Sequence, residues 1–172
     1  RGVAVWMFVY VVGYWGRWEP RHGVGPGRCG ISTACFYPQD TMPALQRVVD
    51  MGSPVTELFS NTFRELGDGY VARMRDLVQA AGVQVSSLHP FTGPLEGLLF
   101  ASEYEARAQD GVELYRRYFQ ACQALGADKL VFHGDRRYPG AFSNEAYAAN
   151  IRRLAQAGRE YGVMLCYQNV YY

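Results

Sequence analysis

GVQVSSLHPF at residues 82–91 and GADKLVFHGD at residues 126–135 repeat one pattern. In each segment a glycine ends a stretch of helical periodicity, a short apolar run follows, and a histidine stands seven residues after the glycine. A glycine in this place is typical of a helix C-terminus, and a short apolar run bounded by turn residues is typical of a buried strand. The two segments therefore predict strands that follow helices, with His89 and His133 at the strand ends.

The same unit recurs along the chain from residue 29 onward. Strands are predicted at five places: 29–38, 54–61, 83–91, 128–135 and 163–170. Amphipathic helices are predicted between them, and each ends at a glycine: Gly52, Gly82, Gly126 and Gly162. Strands that alternate with helices indicate a parallel sheet joined by right-handed crossovers.

The length of the repeating region limits how much of a fold it can form. The helix-ending glycines are 30, 44 and 36 residues apart, a period typical of a (β/α) barrel. A complete barrel of eight units needs about 250 residues, and residues 29–172 supply 144. We therefore predict an α/β fold, a partial (β/α) TIM barrel of about five parallel strands and four helices, with the C-terminal units missing. An open doubly wound sheet is the alternative.

Local signals predict where two of the helices begin. Ser102 and Glu105 have the spacing of a capping box, in which each side chain satisfies a free backbone amide of the other residue. Ser143 is predicted to cap the last helix. The segment that contains Pro94 and Gly97, between the third strand and the capping box, is predicted to be a loop.

Charge and cysteine content exclude several classes of protein. Lys and Arg number 17 against 16 Asp and Glu, so the net charge of +1 argues against the broad basic surface of a nucleic-acid-binding protein. The four cysteines are far apart and form no C-x-x-C pair: Cys29, Cys35, Cys122 and Cys166. This pattern favours buried, reduced thiols in a cytoplasmic protein over a disulfide framework or a zinc knuckle.

Residues 1–28 differ from the rest and are interpreted as an N-terminal extension to a domain of residues 29–172. The apolar run at 2–15 is shorter than the roughly 20 residues that cross a bilayer, so we favour a stray upstream extension and expect no membrane partner. A membrane-directed segment and an extra strand or helix packed on the domain are the alternatives. Residues 25–30 fit G-x-G-x-x-G, but they precede a predicted strand instead of following one, and we interpret them as a linker.

Polar side chains stand at the ends of several predicted strands. His89 and His133 close the third and fourth strands, and Glu57 lies within the second. In parallel α/β folds the C-terminal strand ends surround the functional site. We therefore expect the two imidazoles to share a Zn²⁺ or Mn²⁺ ion or to flank a substrate carbonyl. Asn61 and Asn169 are candidates either for hydrogen bonding a substrate or for capping a loop.

Five strings at these strand ends resemble one known family: GISTACFYP, ELFSNTF, SSLHPF, VFHGD and the final NV. Over about residues 29–170 they resemble the xylose-isomerase-like TIM-barrel superfamily, and within it the sugar phosphate isomerase/epimerase group. The resemblance implies a divalent metal (Mn, Mg, Co or Zn) and a small sugar or sugar phosphate as substrate. It also implies a carboxylate base that removes a proton next to the sugar carbonyl while the metal stabilises the enediolate.

The chain departs from the family pattern at the fifth strand. That strand usually ends in Glu-Asn, where the glutamate is a metal ligand and candidate base, but this chain has Gln168 and Asn169. Glutamine can offer its carbonyl oxygen to a metal, yet it cannot act as a general base, so the catalytic residue stays unassigned. The metal ligands that the resemblance implies are His89, His133 and Gln168. The implied substrate-binding residues are Glu57, His89, His133 and Asn169.

Three functions are consistent with these residues. The first is a sugar phosphate isomerase/epimerase whose complete barrel carries out metal-assisted proton transfer, this chain being incomplete and weakly active or inactive alone. The alternatives are an endonuclease-IV-like zinc phosphodiesterase and a non-catalytic sugar-binding remnant. The first and last strands of a partial barrel would be unpaired edges, so self-association through these edges is also expected.

Overall fold

The computed structural model describes residues 29–134 and 143–168. Its centre is a sheet of five strands: β1 (Ile31–Ser32), β2 (Val55–Ser60), β3 (Gln84–Pro90), β4 (Lys129–Phe132) and β5 (Met164–Tyr167). Five α-helices accompany the strands: α1 (Thr41–Asp50), α2 (Asp68–Ala81), α3 (Gly93–Phe100), α4 (Glu105–Leu125) and α5 (Asn144–Glu160).

The strands are arranged in chain order, β1-β2-β3-β4-β5, and every neighbouring pair is parallel. A doubly wound sheet reverses its strand order at a switch point, whereas a barrel adds each strand beside the previous one. The sequential order therefore confirms the predicted partial barrel and contradicts the doubly wound alternative. Because all strands run the same way, their C-terminal ends lie along one edge of the sheet.

Glycines end the helices that precede the two histidine strands. Gly82 after α2 and Gly126 after α4 have φ angles of +65° and +74°, in the left-handed region that glycine adopts without steric strain. Gly52 and Gly162 also have positive φ angles. The four predicted helix ends are therefore confirmed, and each glycine turns the chain from a helix toward the next strand.

The core lies between the sheet and the helices, and α4 contributes the largest share of its helical side chains. As predicted, one face of α4 is buried: Tyr115, Tyr118, Phe119, Cys122 and Leu125. The ring of Phe132 in β4 packs edge-on against Tyr115 and against Phe100 of α3, with centroid distances of 5.9 and 5.6 Å. Burial of each such side chain contributes about 1.5–3 kcal/mol. This aromatic layer fixes α3 and α4 against the strand that ends next to His133.

The first strand is much shorter than the prediction of 29–38. Only Ile31–Ser32 pairs with β2, and Thr33–Phe36 forms a 3₁₀ helix. The Ser32 hydroxyl accepts a hydrogen bond from the N–H of Ala34, and Thr33 Oγ1 accepts one from the N–H of Phe59 at 2.8 Å. Hydrogen bonds from backbone N–H groups to these hydroxyls thus take the place of backbone hydrogen bonds between strands. Serine and threonine side chains commonly compete with the backbone in this way.

The prediction of a loop around Pro94 and Gly97 is wrong, and the number of α-helices is five instead of four. Gly93–Phe100 is helical, with Pro94 in the first turn. Proline is tolerated there because the first N–H groups of a helix have no partner within the helix. Gly97 lies inside α3 and does not end it.

Of the two predicted helix caps, one forms and the other does not. Ser143 Oγ accepts a hydrogen bond from the N–H of Ala146 at 3.1 Å, which confirms the cap of α5. The predicted capping box is wrong, because α4 begins only at Glu105 and Ser102 Oγ accepts from the N–H of Tyr104. The Glu105 carboxylate instead reaches Arg153 of α5 at 2.6 Å.

The thiol prediction is correct for two of the four cysteines. Cys122 and Cys166 are free and buried, and burial raises the pKa of both thiols. Cys29 and Cys35 are free but exposed, so the expectation of burial is wrong for them. Among the described helices, none is long and apolar enough to cross a membrane. The predicted extension at 1–28 lies outside the described residues.

Candidate functional site

The structure brings the two strand-end histidines together. His89 is the last residue but one of β3, and His133 follows β4 directly. Their Nε2 atoms are 2.8 Å apart, which is a hydrogen-bond distance, and their ring centroids are 4.8 Å apart. We call these two side chains the imidazole pair. The pair lies at the C-terminal edge of the sheet, where the sequence predicted a site.

Glu57 supports one end of the imidazole pair. Its Oε1 atom is 3.4 Å from Nδ1 of His89, and its oxygens accept hydrogen bonds from the hydroxyls of Ser32 at 2.9 Å and Ser87 at 3.2 Å. Burial acts to raise the pKa of Glu57. The hydrogen bond and charge of His89, together with the two hydroxyls, outweigh burial and lower this pKa below its ordinary value. Glu57 is therefore an ionised carboxylate at neutral pH.

Glu96 of α3 supports the other end and was missed by the sequence analysis. Its side chain is fully buried, and its Oε2 atom accepts hydrogen bonds from the backbone N–H groups of His133 and Gly134, both at 2.7 Å. Its Oε1 atom lies 3.4 Å from Nδ1 of His133 and accepts a hydrogen bond from the hydroxyl of Tyr115. The sequence offers one signal, a lone carboxylate within the apolar run PLEGLLF, but Pro94 and Gly97 favour a loop in this segment.

Short contacts link the imidazole pair to both glutamates. Nδ1 of each ring lies 3.4 Å from a glutamate oxygen, and the two Nε2 atoms lie 2.8 Å from each other. The carboxylate of an ionised glutamate can only accept, so this arrangement suits a ring N–H at each Nδ1 and a hydrogen bond between the two Nε2 atoms. Glu57, His89, His133 and Glu96 thus form one continuous chain across three strands and α3.

Gln168 lies beside His133, at the end of β5. Phe132 and Tyr167 are partners in the β4–β5 register, and the N–H of Gln168 donates to the carbonyl oxygen of Phe132 at 2.7 Å. The side-chain Oε1 atom of Gln168 is buried and has no hydrogen-bond partner among residues 29–134 and 143–168. Buried polar atoms are nearly always paired, so an unpaired acceptor at this edge is consistent with a ligand position.

The two asparagine candidates have different outcomes. Asn61 Nδ2 donates to Thr41 Oγ1 at 2.9 Å, which ties the segment after β2 to α1 and corresponds to the loop-capping alternative. Asn169 lies outside the described residues.

The donors at this edge fit part of a divalent-metal site. Histidines that bind metals usually donate their second ring N–H to a carboxylate, and Nδ1 of His89 and of His133 lies 3.4 Å from Glu57 and Glu96 respectively. Gln168 adds an unpaired carbonyl oxygen. Within residues 29–134 and 143–168, no cluster of three or more His, Cys, Asp or Glu side chains has the arrangement of a metal site. The described residues therefore supply an incomplete ligand set.

Sequential parallel strands, with an ionisable site at their C-terminal ends, define a (β/α)-barrel protein. The family model for the xylose isomerase-like TIM barrel matches residues 45–172, and the chain belongs to this family. A comparison with curated protein sequences found no match.

Solved structures of sugar epimerases share the fold. A D-tagatose 3-epimerase-like protein has a TM-score of 0.68 at 16% identity over 83% of this chain and 53% of its own. L-ribulose 3-epimerase gives 0.66 at 20% identity over 83% and 50%. D-psicose 3-epimerase from Clostridium cellulolyticum H10, solved with D-tagatose, gives 0.65 at 14% identity over 80% and 50%. The chain thus spans about half the length of these proteins.

Proposed function

We propose that the chain is part of a sugar isomerase or epimerase that moves a proton next to the carbonyl of a sugar or sugar phosphate, assisted by a divalent metal. The observation that carries this proposal is the imidazole pair, held at the C-terminal edge of the sheet by two carboxylates. Membership of the xylose isomerase-like family supports the barrel chemistry, and the ketose epimerases among its structural neighbours support a ketose as the substrate.

The residues that would hold the ion are His89 and His133 through Nε2 and Gln168 through Oε1. When bound, a divalent ion of Mn, Mg, Co or Zn would polarise the sugar carbonyl and so acidify the neighbouring C–H group. Glu57 and Glu96 contact the Nδ1 atoms of the two rings, which leaves both Nε2 atoms on the side of the site. A bound ion would occupy the two nitrogens that otherwise hydrogen-bond to each other, so metal and proton would compete for them.

The catalytic base is not assigned to any described residue. Gln168, where the family usually has a glutamate, has no titratable proton. Glu57 is engaged by His89 and two hydroxyls, and Glu96 is fully buried beneath His133. These contacts support a role for the described residues in binding and orienting the metal and the sugar. The proton would be removed by a carboxylate elsewhere in the complete barrel.

The test combines binding with proton exchange. The 172-residue chain is incubated in D₂O with D-psicose, D-tagatose or D-fructose, with and without Mn²⁺, Mg²⁺ or Co²⁺, and proton NMR follows the signal next to the carbonyl. We expect saturable, metal-dependent ketose binding that is abolished in His133→Ala, and no loss of that signal, because the proposed base lies in the rest of the barrel. Loss of the signal would contradict this placement of the base, and absence of binding would contradict a sugar as the ligand.

A zinc phosphodiesterase of the endonuclease-IV type is the second candidate, because paired imidazoles are also typical zinc ligands. The nearly neutral chain, with a single lysine, argues against it. Zn²⁺-dependent cleavage of an oligonucleotide with an abasic site would favour this candidate over the sugar enzyme.

A further inference from the structure

Helix α3 contacts His133 in three ways that bear on the orientation of its imidazole. The Glu96 carboxylate binds the backbone N–H groups of His133 and Gly134, and its second oxygen faces Nδ1 of the ring. Gly93, the first residue of the helix, packs against the ring so closely that a Cβ atom there would lie 2.7 Å from Nδ1. The ring is thus held from α3 by both a hydrogen-bond acceptor and a steric contact.

We infer that Glu96 is a positioning residue, which keeps the proton of His133 on Nδ1 and so directs the Nε2 lone pair of a neutral ring toward His89. This inference rests on the proposed function, in which Glu57 and Glu96 contact the Nδ1 atoms of the two rings, and deepens it by naming Glu96 as the residue that fixes the tautomer of His133.

The Glu96 carboxylate is held on both of its oxygens. Its Oε2 atom accepts two backbone N–H groups, whose directions are fixed by the chain. Its Oε1 atom accepts the hydroxyl of Tyr115, a fully buried residue in the middle of α4. Because both oxygens are occupied, the carboxylate presents one fixed acceptor to Nδ1 of His133.

Glu57 and Glu96 differ in how firmly their hydrogen-bond partners are fixed. Glu57 accepts from Ser32 and Ser87, whose hydroxyl hydrogens can rotate to donate elsewhere. Backbone N–H groups cannot rotate in this way, so Glu96 is the rigid end of the chain. Glu96 therefore fixes the tautomer of His133, whereas the position of the proton on His89 can change to match it.

The isosteric substitution Glu96→Gln is expected to reverse the tautomer of His133. The two backbone N–H groups require an acceptor, so the amide oxygen of glutamine would take the place of Oε2. The amide NH₂ group would then face Nδ1 of His133 and make that nitrogen an acceptor. The proton of the neutral ring would move to Nε2, and the lone pair directed at His89 would be lost.

The primary measurement is the ¹⁵N spectrum of the histidine rings in labelled, metal-free protein. Nδ1 of His133 is expected to have the shift of a protonated nitrogen in the wild type and of an unprotonated nitrogen in Glu96→Gln. Glu65→Gln is the matched control, because Glu65 is also a buried carboxylate that accepts backbone N–H groups, from Asn61 and Thr62, but does not touch the pair.

Affinity for Co²⁺, followed by its visible absorption, gives a second readout. Removal of a carboxylate that supports a metal-binding histidine typically lowers metal affinity 10–100-fold, and we expect a loss in this range for Glu96→Gln and none for Glu65→Gln. If the wild type binds no Co²⁺, the metal in the proposed function is contradicted, while the nitrogen spectrum still decides the role of Glu96.

Tyr115→Phe covers the case in which Glu96→Gln does not fold. Loss of the hydroxyl frees Oε1 of Glu96 from one donor, and we expect the His133 nitrogen signals to shift while those of His89 change less. The inference is overturned if Nδ1 of His133 is unprotonated in the wild type, or if its signals are the same in the wild type and every folded variant at Glu96 or Tyr115.

Discussion

Glu57 and Glu96 approach the imidazole pair from opposite ends and differ in how they are held. Glu57 lies in a strand and relies on side-chain partners, whereas Glu96 lies in a helix and relies on backbone N–H groups. Two carboxyl groups thus flank the imidazole pair. The negative charge of the ionised Glu57 would favour a cation at this edge.

The lowered pKa of Glu57 makes stability depend on pH. A carboxylate with a lower pKa in the folded than in the unfolded protein stabilises the fold above the unfolded pKa, and this contribution is lost as pH falls through the folded pKa. For Glu57 the loss begins below about pH 4.3, the ordinary value for glutamate. We expect Glu57→Gln to unfold more easily in urea at pH 7 and to lose less stability between pH 5 and 3.

The control for this prediction is Glu113→Gln, which changes a carboxylate whose side chain is 79% exposed. Its urea midpoint is expected to follow the wild type at every pH. If the urea midpoints of the wild type and Glu57→Gln fell equally between pH 5 and 3, Glu57 would not contribute to the pH dependence of stability.

Helix α3 shows what local sequence could not predict. Pro94 and Gly97 are common breakers, and the segment is only eight residues long, so its pattern favoured a loop. Its helical state depends on contacts with distant residues. Phe100 packs on Phe132, and Glu96 binds backbone groups 37 and 38 residues further along the chain. Such tertiary contacts leave no periodic signal in the segment itself.

The elements that could be predicted have strong local signals. The helix-ending glycines have a conformation that other residues rarely adopt, and the buried face of α4 repeats with helical periodicity. The equal spacing from Gly82 to His89 and from Gly126 to His133 placed both imidazoles at strand ends. The predicted first strand is too long because the hydroxyls of Ser32 and Thr33 take the place of strand hydrogen bonds. An apolar pattern does not reveal such contacts.

The close contact between α3 and His133 can be tested with a matched pair of glycines. Gly93→Ala would place a Cβ atom 2.7 Å from Nδ1 of His133, so either the ring or the helix must move. We expect a loss of about 1–3 kcal/mol in the free energy of unfolding and a change in the His133 nitrogen signals. Urea unfolding and the ¹⁵N spectrum measure the two effects.

Gly69→Ala in α2 is the control, because nothing lies within 4 Å of a Cβ atom at that position. Alanine favours helix over glycine, so this variant is expected to be as stable as the wild type or up to about 1 kcal/mol more stable. Equal stabilities for the two variants would contradict the packing of α3 on the imidazole.

At the scale of the whole molecule, the sheet has two edges. In the part of the chain that the structure describes, β1 pairs only with β2, and β5 pairs only with β4. Unpaired strand edges are templates for pairing with another chain. We therefore expect the 172-residue chain to associate reversibly, with a sedimentation coefficient that rises with concentration over the micromolar range. A concentration-independent monomer would contradict this expectation.

The proposed chemistry depends on the ends of β3 and β4 lying side by side, so that His89 and His133 share a proton. In ¹⁵N-labelled, metal-free protein, a direct hydrogen bond between the rings should give a scalar coupling between their Nε2 atoms. We predict a cross-peak between these two nitrogens that disappears in His89→Ala and in His133→Ala. Two sharp, assigned Nε2 signals with no coupling between them would contradict the juxtaposition of the imidazoles and the site built on it.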